Sequence, residues 1–319
     1  MVTAVAAPAI SSEPCGPNSS YSLDTCDQVH IFEASLSKNT LYRRALSKAL
    51  EACGRLDAAE SVANCGEYFR VGKCRGCGAW PAFPLTCDNK LCPDCAARRG
   101  AVLVEEHKEL LRQLRHPKML TLTFLSVEHL DKEYIRWARS CFTKLRKRKV
   151  LRRCWGGLYS FEVTYSREYG WHPHIHALIA SGYILHSELK KAWRDITGAS
   201  DVDIRAVGKG QQWANKWEAI REVVKYPTKL DTFIDSPELV DEFLTATERV
   251  NLAYGFGALY RVKTRRRGSG HGVVCPYCGC PDIDWGPGYT LPVECIIVYG
   301  GGYSWRGPPE DSTLGVGTE

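Results

Sequence analysis

Apolar positions along this chain recur with two different periods, and the alternation between them predicts an α+β protein. Leu41, Ala45, Leu46 and Leu50 fall on one side at helical spacing and predict a packing helix over residues 41–64. Residues 96–115 form a second helical pattern, with Val102, Leu103, Leu110, Leu111 and Leu114 inward and Pro117 closing it. Residues 119–124 alternate and read as a strand. Residues 132–153 return to helical spacing through Tyr134, Trp137, Ala138, Cys141 and Leu145. Residues 158–165 and 170–180 are two further strands. Ser187 is placed to cap a short helix through Leu189, Ala192, Trp193 and Ile196, which Gly198 ends. A strand over 201–207 follows. Trp213, Trp217, Ile220 and Val224 then form the buried stripe of another helix. Ser236-Pro237 opens the last helix, and Leu259–Lys263 reads as the last strand. Residues 1–40 and 301–319 carry no periodicity and read as disordered.

The chemistry begins on the strand Gly170–Ala180. His172, His174 and His176 occupy alternate positions there, so their side chains share one face while Ile175 and Leu178 are expected to turn into a core. Imidazoles about 7 Å apart on one strand face can share a cation. On the neighbouring strand Glu162 and Thr164 share a face. If the two strands pair, Glu162 can join His174 and His176, and a carboxylate with two imidazoles suits Mg²⁺ or Mn²⁺. On the helix that follows, Glu222 and Tyr226 lie one turn apart, away from the apolar stripe, with Lys225 and Lys229 beside them. A phenol, a carboxylate and two ammonium groups so arranged suit phosphate chemistry. The cluster Arg146, Lys147, Arg148 and Lys149 late in the helix over 132–153 suits the nucleic-acid backbone.

The 319 residues carry 15 cysteines and a net charge of +6. Most of the cysteines fall in tight Cys-x-x-Cys pairs, a pattern of metal sites in a reducing compartment rather than of secreted disulfides. Cys74 and Cys77 with Cys92 and Cys95 are expected to close one structural zinc module over 65–100, with Cys65 and Cys87 as alternates. Cys275, Cys278, Cys280 and Cys295 form a second candidate over 266–300, with His271 as another donor. The chain has no run of about twenty apolar residues, so no membrane span is expected. Residues 1–10 lack a basic leader, which removes the expectation of a signal peptide and leaves a cytoplasmic protein.

Taken together, Leu120-Thr121-Leu122-Thr123, Phe161-Glu162-Val163-Thr164-Tyr165, His172-Pro173-His174-Ile175-His176 and the Glu222/Tyr226 pair resemble the motifs of HUH endonucleases. Within that superfamily they are most similar to rolling-circle plasmid replication initiators of the single-tyrosine type. The cysteine cluster ending Leu91-Cys92-Pro93-Asp94-Cys95 also looks like the one that precedes the core in relatives. The resemblance implies an endonuclease domain over 101–265, built on an antiparallel sheet of about five strands with the histidine strand central and helices mainly on one face. It implies Tyr226 as nucleophile on single-stranded or cruciform origin DNA, a 5′-phosphotyrosine and a free 3′-hydroxyl as products, and Glu222 as general base at termination. A host helicase and polymerase are the partners it implies. A relaxase or single-strand transposase shares this chemistry. A zinc-stabilised DNA-binding regulator without catalysis is the alternative of another class, and a three-histidine zinc hydrolase leaves Tyr226 unused.

Overall fold

A computed structural model describes residues 38–224, 232–260, 274–299 and 302–305. The disorder expected of 1–40 and 301–319 falls outside these ranges, except that 38–40 open a helix and 302–304 form a strand. Tyr226, Lys225, Lys229 and His271 also lie outside them.

The region expected to be one helix is two, α1 (Lys38–Ala52) and α2 (Leu56–Ala63). Gly54 separates them at φ +80°, a conformation that continues no α-helix. A short hairpin follows, β1 (Tyr68–Cys74) and β2 (Ala82–Pro84), and then α3 (Pro93–Gln113). The core runs through β3 (Pro117–Thr123), α4 (Lys132–Lys147), β4 (Gly156–Ser166), β5 (Gly170–Ala180), α5 (His186–Thr197), β6 (Val202–Ala206), α6 (Lys216–Val224), α7 (Pro237–Ala246) and β7 (Ala253–Gly257). The chain ends in β8 (Ile283–Pro292), a 3₁₀ turn, β9 (Ile297–Tyr299) and β10 (Gly302–Ser304).

Three further boundaries differ from the sequence expectations. α4 stops at Lys147 instead of running to Arg153, and Arg148 is already extended. Leu145 is its last buried position, and the next residues on that face are cations that oppose one another. α5 begins at His186 with Leu185 as N-cap, so Ser187 does not cap it. The last strand of the core is β7, because Gly257 turns the chain at φ +61° and Leu259 packs inward from a turn. The histidine-bearing chain is otherwise as expected: β6-β3-β5-β4-β7 form one five-stranded antiparallel sheet with β5 at its centre.

The pleat divides this sheet into two unlike faces. One face carries Leu120, Leu122, Phe124, Tyr159, Phe161, Val163, Trp171, Ile175 and Ala177, all buried. It is covered by α4, α5, α7 and α1, and Trp193 of α5 donates its indole N–H to the Thr123 carbonyl at 2.8 Å. The other face begins with an apolar layer of Met119, Leu158 and Leu178, roofed by Leu111 and Leu114 from the end of α3 and by Ala219, Ile220 and Val223 of α6. Beyond that layer the same face turns polar, and the histidines stand there; Leu178, expected to face away from them with Ile175, shares their face, because it lies two residues from His176 on the strand.

A second, three-stranded sheet has the order β2-β1-β8. β1 and β8 pair from Tyr68↔Pro292 to Cys74↔Ile283, so the two cysteine-rich segments, expected as separate modules, share one sheet. Among the described residues no helix is long and apolar enough to cross a membrane.

Because the pleat assigns Ile175 and His174 to opposite faces, their truncation should have unequal costs. Ile175→Ala should lower unfolding stability by about 2–5 kcal/mol, the usual cost of emptying a core site. His174→Ala should cost well under half of that. Urea denaturation followed by far-UV circular dichroism checks both; equal losses would contradict the two-faced sheet.

Candidate functional site

The polar half of the sheet face is built by strand register. β3 pairs Thr121 with His176 and Thr123 with His174, while β4 pairs Ser160 with His176, Glu162 with His174 and Thr164 with His172. The side chains repeat this order. Thr121 Oγ1 lies 3.2 Å from His176 Nδ1, Thr123 Oγ1 lies 3.2 Å from His174 Nδ1, and Ser126 Oγ lies 2.8 Å from His172 Nδ1. Each ring therefore has a hydroxyl on the same nitrogen. In the tautomer where Nδ1–H donates to that hydroxyl, Nε2 carries the lone pair a metal ligand needs; in His176 that nitrogen faces the Glu162 carboxylate, so it takes this form with a cation between the two. Metal-binding histidines are commonly fixed in this way by a partner on the second nitrogen. The hydroxyls were within the quoted Leu120–Thr123 motif, but their task becomes visible only with the register; nothing in the periodicity points to Ser126.

Glu162 reaches diagonally across β5, its Oε2 2.6 Å from His176 Nε2. The ring centroids of His172 and His174 are 4.5 Å apart, and those of His174 and His176 are 6.0 Å apart. All four side chains are half-buried. Two imidazoles and a carboxylate oxygen on one partly screened face are a donor set that suits Mn²⁺ or Mg²⁺. The groups whose ligand atoms all lie within 4.8 Å of one another, among the described residues, are two sets of cysteines and do not include these histidines.

α6 lies over this same face. Asn215 starts it, its side-chain oxygen accepting from the N–H groups of Trp217 at 2.9 Å and Glu218 at 3.1 Å. The buried side of α6 is Ala219, Ile220, Val223 and Val224, with Trp217 partly buried. Glu222 is exposed on the helix. Its end crosses α3 at Gly100, where a Cβ would meet the Val224 carbonyl oxygen at 2.9 Å, so the absent side chain permits the close crossing. Tyr226 follows two residues after Val224, outside the described residues.

The basic cluster of α4 lies elsewhere. Ile135, Ala138, Cys141, Phe142 and Leu145 bury α4 against the apolar face, behind the sheet from the histidines. Arg146 is partly buried, its guanidinium 5.5 Å from the Phe142 ring and 4.9 Å from the Phe256 ring. Lys147, Arg148 and Lys149 are exposed where α4 ends.

The cysteines are regrouped relative to the expectation from spacing. Cys92 and Cys95 join Cys65 and Cys87, whereas Cys74 and Cys77 join Cys275 and Cys278. Cys280 and Cys295 stand outside both groups. Sulfur–sulfur distances are 3.6 Å for Cys65–Cys95, Cys87–Cys95, Cys74–Cys278 and Cys77–Cys275, and 3.7 Å for Cys92–Cys65. Disulfides need about 2.05 Å. A Zn–S bond of about 2.3 Å implies a tetrahedral edge of about 3.8 Å, close to what is present. Each group could thus hold a metal such as zinc. The thiols of each group bias one another: hydrogen bonds from Cys87, Cys92 and Cys95 push Cys65 well below the ordinary thiol range, while the same contacts push Cys87 up. The backbone N–H of Cys77 draws Cys74 down to about 6 against the opposing effect of burial. The regrouping has a physical cause: β1 ends at Cys74 and pairs there with Ile283, which brings the Cys275–Cys278 knuckle to it, while α3 starts from Cys92.

Comparison with known proteins gives a consistent assignment. The Rep_1 family model, a replication protein, matches residues 82–266, more than half of the chain. A "Protein rep" of Staphylococcus aureus is 30% identical over 161 residues, which cover 45% of this chain and 69% of that protein. A "Protein rep" of Lentilactobacillus hilgardii is 28% identical over 160 residues, 43% of this chain and about half (49%) of that protein. No solved structure matches.

The two cysteine groups make a countable prediction. Elemental analysis of the purified chain should find two zinc ions per molecule. Cys95→Ser and Cys278→Ser should each lower that number by one, through different groups. One zinc in the unsubstituted chain, or loss of both ions in either variant, would contradict two independent tetrahedral sites.

Proposed function

The chain belongs to the Rep_1 family of replication proteins, and from that premise we propose that it starts rolling-circle replication by nicking one strand of plasmid origin DNA. The observation that carries the reading is the row of imidazoles whose Nδ1 atoms all meet hydroxyls, beside a carboxylate and on the sheet face whose apolar layer is roofed by α6, the helix that precedes Tyr226 in sequence. A divalent cation such as Mn²⁺ or Mg²⁺, when held by His174, His176, Glu162 and, as a further donor, His172, supplies Lewis-acid polarisation of a phosphate oxygen.

The chain's own groups do the rest. Thr121, Thr123 and Ser126 fix the rings of His176, His174 and His172 through Nδ1, so the ring orientations are set before substrate arrives. The phenol oxygen of Tyr226 attacks the scissile phosphorus. The new P–O bond to tyrosine forms as the bond to the 3′ oxygen breaks, and that oxygen takes up a proton to become the 3′-hydroxyl. The 5′ side of the nick remains on the protein as phosphotyrosine. Lys225 and Lys229 neighbour the phenol in sequence and suit charge balance at the phosphate. At the end of a round Glu222 removes a proton from water, which attacks the phosphotyrosine and returns the free phenol. The 3′-hydroxyl is the end that a polymerase extends, and a helicase opens the duplex ahead of it. Zinc at the cysteine groups serves folding.

Two outcomes follow. Tyr226→Phe should form no covalent adduct with single-stranded origin DNA in the presence of Mn²⁺, while its affinity for that DNA stays within about twofold; adduct at the unsubstituted level would assign the nucleophile elsewhere. Glu222→Ala should cleave once at a near-normal rate, since transesterification consumes no water, and then fail to release the protein. Free protein recovered after a completed round of Glu222→Ala would show that another group serves as the base.

A further inference from the structure

At the end of the core sheet farthest from His172 lies a cavity of about 610 Å³. It opens between the C-terminus of α3, the start of β3 and the segment entering β4. Arg112, Arg115, His116, Arg153 and Trp155 line it, over a floor that includes Leu114 and Ala180, and no carboxylate contributes to the wall. Arg112 is paired with Glu109 at 2.5 Å. Among the described residues no carboxylate pairs with Arg115 or Arg153, and both are exposed. Trp155 leaves 44% of its surface open, unusual for so large an apolar ring. His116 stands at φ +51°, a conformation that costs a non-glycine residue energy and aims its imidazole from the tight turn between α3 and β3.

We propose that this cavity is a second DNA-contact site, which takes phosphates of an unpaired strand on Arg115 and Arg153 and stacks one base on Trp155. Guanidinium groups match phosphate oxygens in pairs, and uncompensated cations around a recess repel one another until an anion enters. An open indole beside them offers the stacking surface that single-stranded DNA uses without regard to sequence. The basic stretch that leaves α4 at Lys147 runs on to Arg153, which lines this rim.

Position also limits how the strand reaches it. Ala180 lies four residues beyond His176 on β5, about 13 Å by strand rise. The layer between them, Met119, Leu158 and Leu178, is roofed by α3 and α6. A strand engaged at both places must pass outside these helices. For a stacked strand, at 3.4 Å per base, the cavity therefore contacts DNA about four or more nucleotides from the nick. The inference rests on the reading of the chain as a DNA-nicking replication protein for its ligand, but it concerns binding alone.

The test is fluorescence anisotropy of the full chain with labelled dT20 over a range of salt concentrations. Arg115→Ser with Arg153→Ser should weaken binding at least tenfold at low salt, and should flatten the slope of log affinity against log salt by about 1.4, or 0.7 per lost contact. Trp155→Ala should weaken it about tenfold and Trp155→Phe should restore most of the loss. Equal thermal melting of the variants, and near-normal affinity in Arg115→Lys with Arg153→Lys, separate lost contacts from lost folding. Adduct formation on a short oligonucleotide confined to the nick should be unchanged in all of them, which separates failure of this proposal from failure of the nicking chemistry. Unaltered affinity and slope in the double serine variant would overturn the inference. So would competition by dTMP as strong as by unlabelled dT20, which would make the cavity a site for free nucleotides.

Discussion

The candidate site depends on one constraint, the antiparallel register that holds β5 between β3 and β4. With His176 opposite Thr121 and His174 opposite Thr123, two imidazoles find hydroxyls on the adjoining strand, Ser126 just beyond it meets the third, and Glu162 is delivered within reach of His176. A slip of one residue would turn the histidines into the apolar core and Ile175 out to solvent, so burial of the opposite face enforces the alignment of the site. That enforcement is strong, because Leu120, Phe124, Phe161, Trp171 and Ile175 are all essentially inaccessible. Chemistry on one face is thus specified by packing on the other.

The same face also explains how α6 comes to lie over the sheet. Its apolar layer accepts α3 and α6, and the absence of a side chain at Gly100 lets the end of α6 sit tightly against α3. Burial ends where the roof ends, and the polar row begins there. The cysteine groups act at longer range. One joins the flanks of the β1–β2 hairpin to the start of α3, and the other joins the end of β1 to a knuckle some two hundred residues later. A metal at the second would close a very long loop, which constrains the unfolded chain and ties the late strand β8 to the early sheet.

Much of this was legible in the sequence because it is local. Alternation from Gly170 to Ala180 placed three histidines on one face and assigned Ile175 to the core, and the structure agrees. What was not legible depends on partners distant along the chain. Spacing identifies Cys-x-x-Cys pairs but not which pair meets which, and strand pairing of β1 with β8 made that choice. The break at Gly54 and the early end of α4 arise from a left-handed glycine and from crowded cations, both weaker signals than the apolar stripe that ran past them. The basic run was expected to suit the nucleic-acid backbone, and its period could not show that its helix buries the sheet face opposite the histidines. The cavity needs Arg112 and Arg115 to meet Arg153, and no period in the sequence links them.

The central claim is that hydroxyl-fixed imidazoles on β5 present Nε2 to a divalent cation. Electron spin-echo spectroscopy of the Mn²⁺-loaded chain, labelled with ¹⁵N-histidine, tests it directly. The account predicts nitrogen modulation from directly bound imidazoles that disappears in His174→Ala with His176→Ala. Mn²⁺ bound tightly but without any histidine nitrogen coupling would contradict it.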